Sequence, residues 1–183
     1  QGDEKVFESG TVFWQVSSLS SEFITSLVAG MAVHQVVRIG RMEFAIEDVQ
    51  FLPQPEFGAE MRFISLSPLV ASKPVNDANG KIRKVYLRDE AEFTAAIAEN
   101  LKTKYLAAFG RLPANNQIAF DFDQHYLQKN GGVDSRKVTR TIYFVKRMQN
   151  GLSELIGIRG NQAPFIVRGS REMIEHGWKT GYG

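Results

Sequence analysis

The histidines are the side chains best suited to proton transfer near neutral pH, because an unperturbed imidazole changes its charge in that range. His34 is close in sequence to Arg38 and Arg41, so it could act as a general base beside a bound anion. A histidine on a strand beside a turn is, however, more often structural or simply exposed.

The other two histidines also have competing interpretations. His125 alternates with apolar and acidic residues on a predicted strand, which favours a hydrogen-bonded surface role. His176 comes just before Gly177 near the end of a predicted helix, where a cation stabilises the helix C-terminus. Because it also adjoins the glycine-rich residues 181–183, it could contact a phosphate instead.

Several kinds of chemistry are excluded. The chain has no cysteine, which removes disulfides, cysteine-ligated metal sites and thiol catalysis. Asp121, Asp123 and His125 lie in line on one face of a predicted strand, without the convergent ligands that a metal requires. The sequence also contains no P-loop, nucleophile elbow or dinucleotide-binding fingerprint. We therefore expect neither a metal nor another cofactor.

The composition predicts an ordinary globular protein. Hydrophobic residues make up 43% of the 183 residues and charged residues 23%. No apolar run approaches the roughly 18 residues of a membrane-spanning helix, and no signal peptide is recognisable. We therefore expect a cytoplasmic location and no membrane partner.

The charge is unevenly distributed along the chain. Residues 129–183 contain ten Lys and Arg against four Asp and Glu, a net charge of +6, whereas the rest carries −4, which together give the formal +2 of the chain. A basic segment of this kind indicates a surface that binds a polyanion, since Lys and Arg neutralise phosphates. The alternative is an ordinary solvated strand surface.

A β-hairpin with a basic tip is predicted within this segment. Residues 118–122 and 138–145 have strand character and flank a turn at residues 130–132. Three cations surround the predicted tip and a fourth follows on the second strand: Lys129, Arg136, Lys137 and Arg140. Tyr126 and Tyr143 offer stacking surfaces for bases, although an aromatic residue on a sheet is more often part of a core.

The first 50 residues predict the order β-α-β-β. Residues 11–17 alternate and are rich in β-branched and aromatic side chains, which predicts a strand. Ser20 or Ser21 can cap a helix whose apolar residues recur at helical spacing. Residues 33–39 and 42–49 return to strand character.

From residue 61 onward, the pattern predicts the order β-(β)-α-β-β-(β)-α. The predicted strands cover residues 61–71, 81–87, 118–122, 138–145, 155–159 and 165–167. The clearest helix begins at Asp89, where Glu92 completes a capping box, and ends near Gly110. Its apolar face repeats every four residues, at Phe93, Ile97, Leu101 and Tyr105. Ser170 caps a last helix that continues through Trp178.

These orders predict an α+β protein with two tandem ferredoxin-like (RRM-like) βαββαβ domains. Residues 1–58 correspond to the second half of the first domain, which is truncated at its N-terminus. Residues 59–183 correspond to the second domain, which lacks its last strand. Because incomplete units leave a strand edge or a helix face uncovered, we expect the chain to be part of a longer polypeptide.

Several motifs point to one protein family. Residues 63–70 (FISLSPLV) look like a T/S-L-S-P-I/L-V strand, and Lys104-Tyr105 with Phe109-Gly110 looks like the end of a long helix. Residues 165–170 (FIVRGS), followed by G-Y-G at 181–183, look like the approach to a glycine-rich loop. This ordered set resembles the CRISPR-associated endoribonucleases that cut repeat RNA into guides, the sixth Cas family of the repeat-associated mysterious protein (RAMP) superfamily.

The resemblance implies binding of CRISPR repeat RNA and precursor CRISPR RNA. It also implies metal-independent cleavage within the repeat by the 2′-hydroxyl, which leaves a 2′,3′-cyclic phosphate and a 5′-hydroxyl. The RNA-binding residues that we predict are Lys129, Arg136, Lys137, Arg140, Arg168, Lys179, Gly181 and Gly183. Other Cas proteins of an effector complex and a second copy of the chain are further partners that the resemblance admits.

Two features depart from the family pattern. The family's usual catalytic histidine is upstream of anything that matches residue 11, so His34 and His176 are candidates that cannot inherit the role by position. The glycine-rich stretch normally continues beyond the first G-x-G.

Two other functions remain open. A non-catalytic RNA-binding RAMP subunit of a CRISPR effector complex would share the fold and the basic hairpin and would need no histidine. A ferredoxin-like small-molecule sensor would have a pocket at a dimer interface and no RNA affinity, but it leaves the +6 segment unexplained.

Overall fold

A computed structural model of the chain describes residues 10–40, 42–76, 78, 80, 82–87, 90–147 and 153–182. Helices and small antiparallel sheets alternate along the chain, which confirms the predicted α+β class. The chain forms two compact units, Gln1–Phe51 and Leu52–Gly183. Within the described residues, no helix is long and apolar enough to cross a membrane.

The first unit contains a helix followed by a two-stranded antiparallel sheet. Helix α1 spans Ser21–His34, and the hydroxyl of Ser20 caps its first turn. Strands β1 (Val36–Ile39) and β2 (Met42–Ala45) pair with each other, and Gly40 between them has a φ of 63°. The predicted helix and these two strands are therefore confirmed, although the helix continues through residues 33–34 and the strand predicted over residues 42–49 ends at Ala45. None of the described residues of this unit is buried.

The predicted strand at residues 11–17 is wrong. Residues 10–18 form neither helix nor strand, and β1 takes β2 as its partner. The alternation of β-branched and aromatic residues suits a sheet face, but a strand also needs a neighbouring edge for its backbone hydrogen bonds.

The second unit is organised around a three-stranded sheet. Its described elements are β3 (Glu60–Phe63), β4 (Ser72–Asn76), β5 (Ile82–Tyr86), α2 (Glu90–Phe109), β6 (Ile118–Phe122), α3 (Gln124–Lys129), β7 (Thr139–Arg147), β8 (Ser153–Asn161), β9 (Phe165–Gly169) and α4 (Arg171–Thr180). The strand order is β3-β9-β6, and β9 is antiparallel to both neighbours. Strands β3 and β6 are therefore parallel to each other and separated by β9, which is the split βαβ arrangement of a ferredoxin-like domain.

Helix α2 provides much of the core on one face of this sheet. Its buried residues are Phe93, Ile97, Leu101 and Tyr105, as the four-residue spacing predicts. Gly110, with a φ of 72°, follows its last turn. The predicted cap, Asp89, lies outside the described residues. The carboxylate of Glu92 accepts a bond from Lys73 Nζ at 2.7 Å.

The strand predicted at residues 61–71 is shorter in the structure. Strand β3 ends at Phe63, and Leu69 forms only an isolated bridge to Asn161. Pro68 lacks a backbone donor, so this stretch cannot continue a regular ladder. A strand that the sequence does not predict, β4, pairs instead with β5.

The predicted hairpin between residues 118–122 and 138–145 is wrong. Strand β6 pairs with β9, whereas β7 pairs with β8 over nine residues each. Between β6 and β7 the chain forms α3, whose first turn is capped by Asp123, and His125 therefore lies on a helix. An aspartate N-cap supplies the helix with an acceptor for a first-turn amide.

Candidate functional site

The cations that the sequence predicts at a hairpin tip lie on a helix end, a turn and a strand start. Lys129 ends α3, Arg136 and Lys137 lie in the turn that follows, and Arg140 is the second residue of β7. All four residues are exposed. We refer to residues 129–140 as the basic segment.

The backbone of the basic segment is held by local hydrogen bonds. The Ser135 carbonyl accepts bonds from the amides of Val138 and Thr139 at 3.0 and 2.9 Å. Arg140 Nη1 donates to the carbonyls of Arg136 and Thr139 at 2.8 and 3.0 Å. Val138 is fully buried. The backbone of the basic segment is therefore anchored, in part by the side chain of Arg140.

The β7–β8 ribbon presents an exposed aromatic ring. Tyr143 is paired with Gly157 across the ribbon, and a Cβ at residue 157 would lie 3.1 Å from Tyr143 Cε1. The ring thus lies across the glycine, and its residue is 66% exposed. Such a ring can stack on a base. Tyr126, by contrast, lies on α3 and packs against the core.

Arg168, another predicted RNA contact, is paired with two carboxylates. Its Nε donates to Glu60 at 2.5 Å and its Nη1 to Asp121 at 2.8 Å. On the same sheet, Arg62 forms an ion pair with Asp123. Because carboxylates balance both arginines, this part of the sheet attracts phosphate less than the basic segment does.

The chain changes direction after α4 at Gly181 and Tyr182; these two residues, which we call the turn at Gly181, are tied to the core. Gly181 is exposed with a φ of 79°, and its carbonyl accepts a bond from Lys104 Nζ at 2.9 Å. Tyr182 is buried, and its hydroxyl donates to the Ile174 carbonyl at 2.9 Å. Gly177 provides the space, since a Cβ there would overlap the Tyr182 ring. Gly183 lies outside the described residues.

His176 lies on α4 and is buried against α2. It is 3% exposed, and its ring meets those of Tyr105 and Phe109 edge-on at 5.0 and 5.9 Å. Within the described residues neither ring nitrogen has a hydrogen-bond partner. Burial, and secondarily the charge of Lys104, lowers the pKa of His176, so its ring is neutral near pH 7. This environment favours a structural role.

A His176→Leu variant is expected to lose part of the acid sensitivity of folding. The unfolded chain takes up a proton at His176 near pH 6.5, whereas the folded chain takes it up only at lower pH. Stability that is present above pH 6.5 is therefore lost as the pH falls below this value. Urea unfolding at about pH 5 and about pH 7.5 measures the difference.

His125→Leu is the control for this comparison, because His125 is exposed on α3. We expect this variant to change the pH dependence less than His176→Leu does. If His176→Leu loses as much stability between about pH 7.5 and about pH 5 as the wild-type chain does, His176 is not a source of the acid sensitivity.

The other predicted site residues, His34 and Lys179, lie on different helices. His34 is the last residue of α1 in the first unit and is exposed. Of the two arginines near it in sequence, Arg38 has its Nε 3.8 Å from Glu43 Oε1, and Arg41 is outside the described residues. Lys179 Nζ donates to Glu175 at 2.7 Å on α4. Within the described part of the chain, no three acidic, histidine or cysteine side chains converge to hold a metal.

Comparison with known proteins identifies the family. Residues 52–183 match the family described as CRISPR associated protein Cas6, C-terminal. The chain belongs to the Cas6 family. The matched residues are those of the second unit, so the basic segment and the Gly181 turn both lie in the Cas6 region.

Individual Cas6 relatives agree with this match. The chain is 24% identical over 174 residues to the CRISPR-associated endoribonuclease Cas6 1 of Methanocaldococcus jannaschii, covering 95% of this chain and 59% of the relative. The fold resembles a Cas6-related protein of Pyrococcus furiosus, with a TM-score of 0.65 at 21% identity over 91% of this chain and 60% of that one.

A RAMP protein described as binding different RNA substrates also has a TM-score of 0.65, again at 21% identity, over 91% of this chain and 61% of that one. This chain thus spans about three fifths of the length of these relatives.

Three residues near Gly181 have contacts that the sequence does not predict. Lys104 and Tyr105 are part of the family resemblance, yet only the fold brings Lys104 to Gly181 and Tyr105 to Glu172. The burial of Tyr182 could have been predicted from the aromatic residue in the middle of G-Y-G, because an aromatic side chain has a large surface to bury.

Proposed function

We propose that the chain binds CRISPR repeat RNA through its second unit. The observation that supports this most directly is the exposed, anchored basic segment within the Cas6 region. Four cations on one short segment neutralise phosphates without needing a particular base sequence. Tyr143 adds an exposed ring on which an unpaired base can stack.

The turn at Gly181 is the second RNA contact in this proposal. Glycine lets a phosphate approach the backbone closely, and successive backbone N–H groups in a turn can bind an anion. Gly181 is exposed, whereas the neighbouring Tyr182 is buried. The turn therefore offers its backbone to RNA while its side chain remains in the core.

We further propose that the full-length form cleaves precursor CRISPR RNA within the repeat without a metal. A general base removes the 2′-hydroxyl proton, and the oxygen attacks the adjacent phosphorus. The bond from phosphorus to the 5′-oxygen breaks as a general acid protonates that oxygen, which gives a 2′,3′-cyclic phosphate and a 5′-hydroxyl. His34 and His176 are the candidates, but the buried His176 cannot contact a 2′-hydroxyl in the conformation described.

The burial of His176 favours a second candidate function, a non-catalytic RNA-binding subunit of a CRISPR effector complex. This function requires the basic segment but no accessible histidine. Other Cas proteins or a second copy of this chain would then be the protein partners.

The decisive experiment is incubation of the chain with labelled repeat RNA in EDTA, with a scrambled RNA of equal length as control. We expect a gel shift for the repeat. Cleavage by this chain would favour His34 or His176 as the base, and His34→Ala and His176→Ala would separate them. Binding without cleavage would leave the chain as an RNA-binding unit. An absence of any shift at low salt would overturn the proposal.

A further inference from the structure

The turn at Gly181 is held by a lysine from a distant part of the chain. Lys104 lies on α2, 77 residues before Gly181, and its Nζ donates to the Gly181 carbonyl at 2.9 Å. The next residue, Tyr182, is held by ring packing: the centroid of its ring lies 5.2 Å from the ring centroids of Phe63 and Phe165.

These two contacts orient a peptide group. The peptide bond between Gly181 and Tyr182 is planar and trans, so its C=O and N–H groups point in opposite directions. Lys104 attracts the carbonyl to one side and thereby directs the Tyr182 N–H to the other. Gly181 has no side chain to restrict its own dihedral angles, so this orientation depends on the contacts on either side.

Lys104 is integrated into the protein rather than fully solvated. Its side chain is half-buried, and burial lowers the pKa of its ammonium group. The next residue, Tyr105, donates from its hydroxyl to Glu172 on α4. The stretch of α2 that bears Lys104 is therefore fastened to the helix that leads into the turn.

We propose that Lys104 is a positioning residue for RNA binding. It holds the Gly181–Tyr182 peptide so that the Tyr182 N–H faces an RNA phosphate, and it does not contact the phosphate itself. This role rests on the proposed function of the chain.

The test compares the RNA affinity of two lysine variants of the same helix. Lys104→Met removes the donor and retains most of the aliphatic stem. Lys102→Met removes an equal charge two residues away, at a lysine whose Nζ lies 3.7 Å from Glu99. We expect Lys104→Met to bind labelled repeat RNA about tenfold more weakly, since a hydrogen bond from a charged group is lost. Lys102→Met should change the affinity much less.

Salt dependence distinguishes positioning from direct contact. A lysine that touches a phosphate contributes nearly one unit to the slope of log K against log salt concentration. We expect the slope of Lys104→Met to equal that of Lys102→Met. Lys104→Arg should restore most of the affinity, because a guanidinium can also donate to the Gly181 carbonyl.

A measurement without RNA keeps the test independent of binding. The ¹⁵N order parameters of Gly181 and Tyr182 should be lower in Lys104→Met than in Lys102→Met, while those of the core strand β9 remain high in both. If Lys104→Met fails to fold, Lys104→Arg still tests the idea, because it must retain both the high order parameters of the turn and the RNA affinity.

The outcomes separate this inference from the proposed function. Equal affinities of the two methionine variants, or a slope lowered by about one in Lys104→Met alone, would overturn the positioning role while RNA binding stands. A wild-type chain that does not bind repeat RNA would overturn the proposed function and this role together.

Discussion

Tyr182→Ala is expected to lower the free energy of unfolding of the second unit by about 3 to 5 kcal/mol, the usual cost of removing a buried aromatic ring. The ring is 6% exposed and packs on the aromatic side chains of β3, β6 and β9. Its loss leaves a cavity between the sheet and Gly177. Urea unfolding followed by near-ultraviolet circular dichroism measures the change in the transition midpoint.

Tyr182→Phe is the matched control for this prediction. It keeps the ring and removes only the hydroxyl that donates to the Ile174 carbonyl. We expect a loss of about 1 kcal/mol for this hydrogen bond. If the alanine variant is no less stable than the phenylalanine variant, the ring does not anchor the core.

Removal of the four cations of the basic segment should produce the largest change in RNA affinity. We expect replacement of Lys129, Arg136, Lys137 and Arg140 by alanine to weaken binding on the order of 100-fold at moderate salt, because about four phosphate contacts are lost. The single variants Lys137→Ala and Arg140→Ala should each weaken binding and lower the salt slope by about one. Fluorescence anisotropy with labelled repeat RNA across a salt series measures both quantities.

Lys102→Ala provides the control for general loss of positive charge. Arg168→Ala is a second comparison, because Arg168 is already paired with Glu60 and Asp121. We expect its effect to be smaller than that of Lys137→Ala. Unchanged affinity in both Lys137→Ala and Arg140→Ala would remove the basic segment from the RNA interface.

The elements that depend on nearby residues are those that the sequence predicts well. Helices α1 and α4 have serine caps one residue before their first turns, and the apolar face of α2 repeats every four residues. Caps and helical periodicity act within a few residues, so local sequence contains the necessary information.

Strand partners depend on distant residues and are predicted less well. The Asn130-Gly131-Gly132 turn is typical of a hairpin, yet it follows α3, and β6 finds its partner in β9. Nothing within residues 118–145 indicates that β9 competes with β7 for that edge. Pairing of this kind is decided by burial across the whole unit.

In the candidate site, too, local features could be predicted from the sequence and long-range contacts could not. The cations of the basic segment are evident from charge, although their placement on a turn is not. The role of Lys104 depends on a contact across 77 residues, and no local pattern reveals it.

The central position of β9 has a consequence for synthesis on the ribosome. Strands β3 and β6 are synthesised before β9 and do not pair with each other. Their backbone hydrogen bonds within this sheet therefore form only when β9 is present. Glu60 meets Arg168 across 108 residues, so the sheet closes only after a long loop has lost its entropy. The backbone edges at which both early strands pair with β9 remain open in the nascent chain until residues 165–169 emerge, which makes this interval the one in which a chaperone has most to protect.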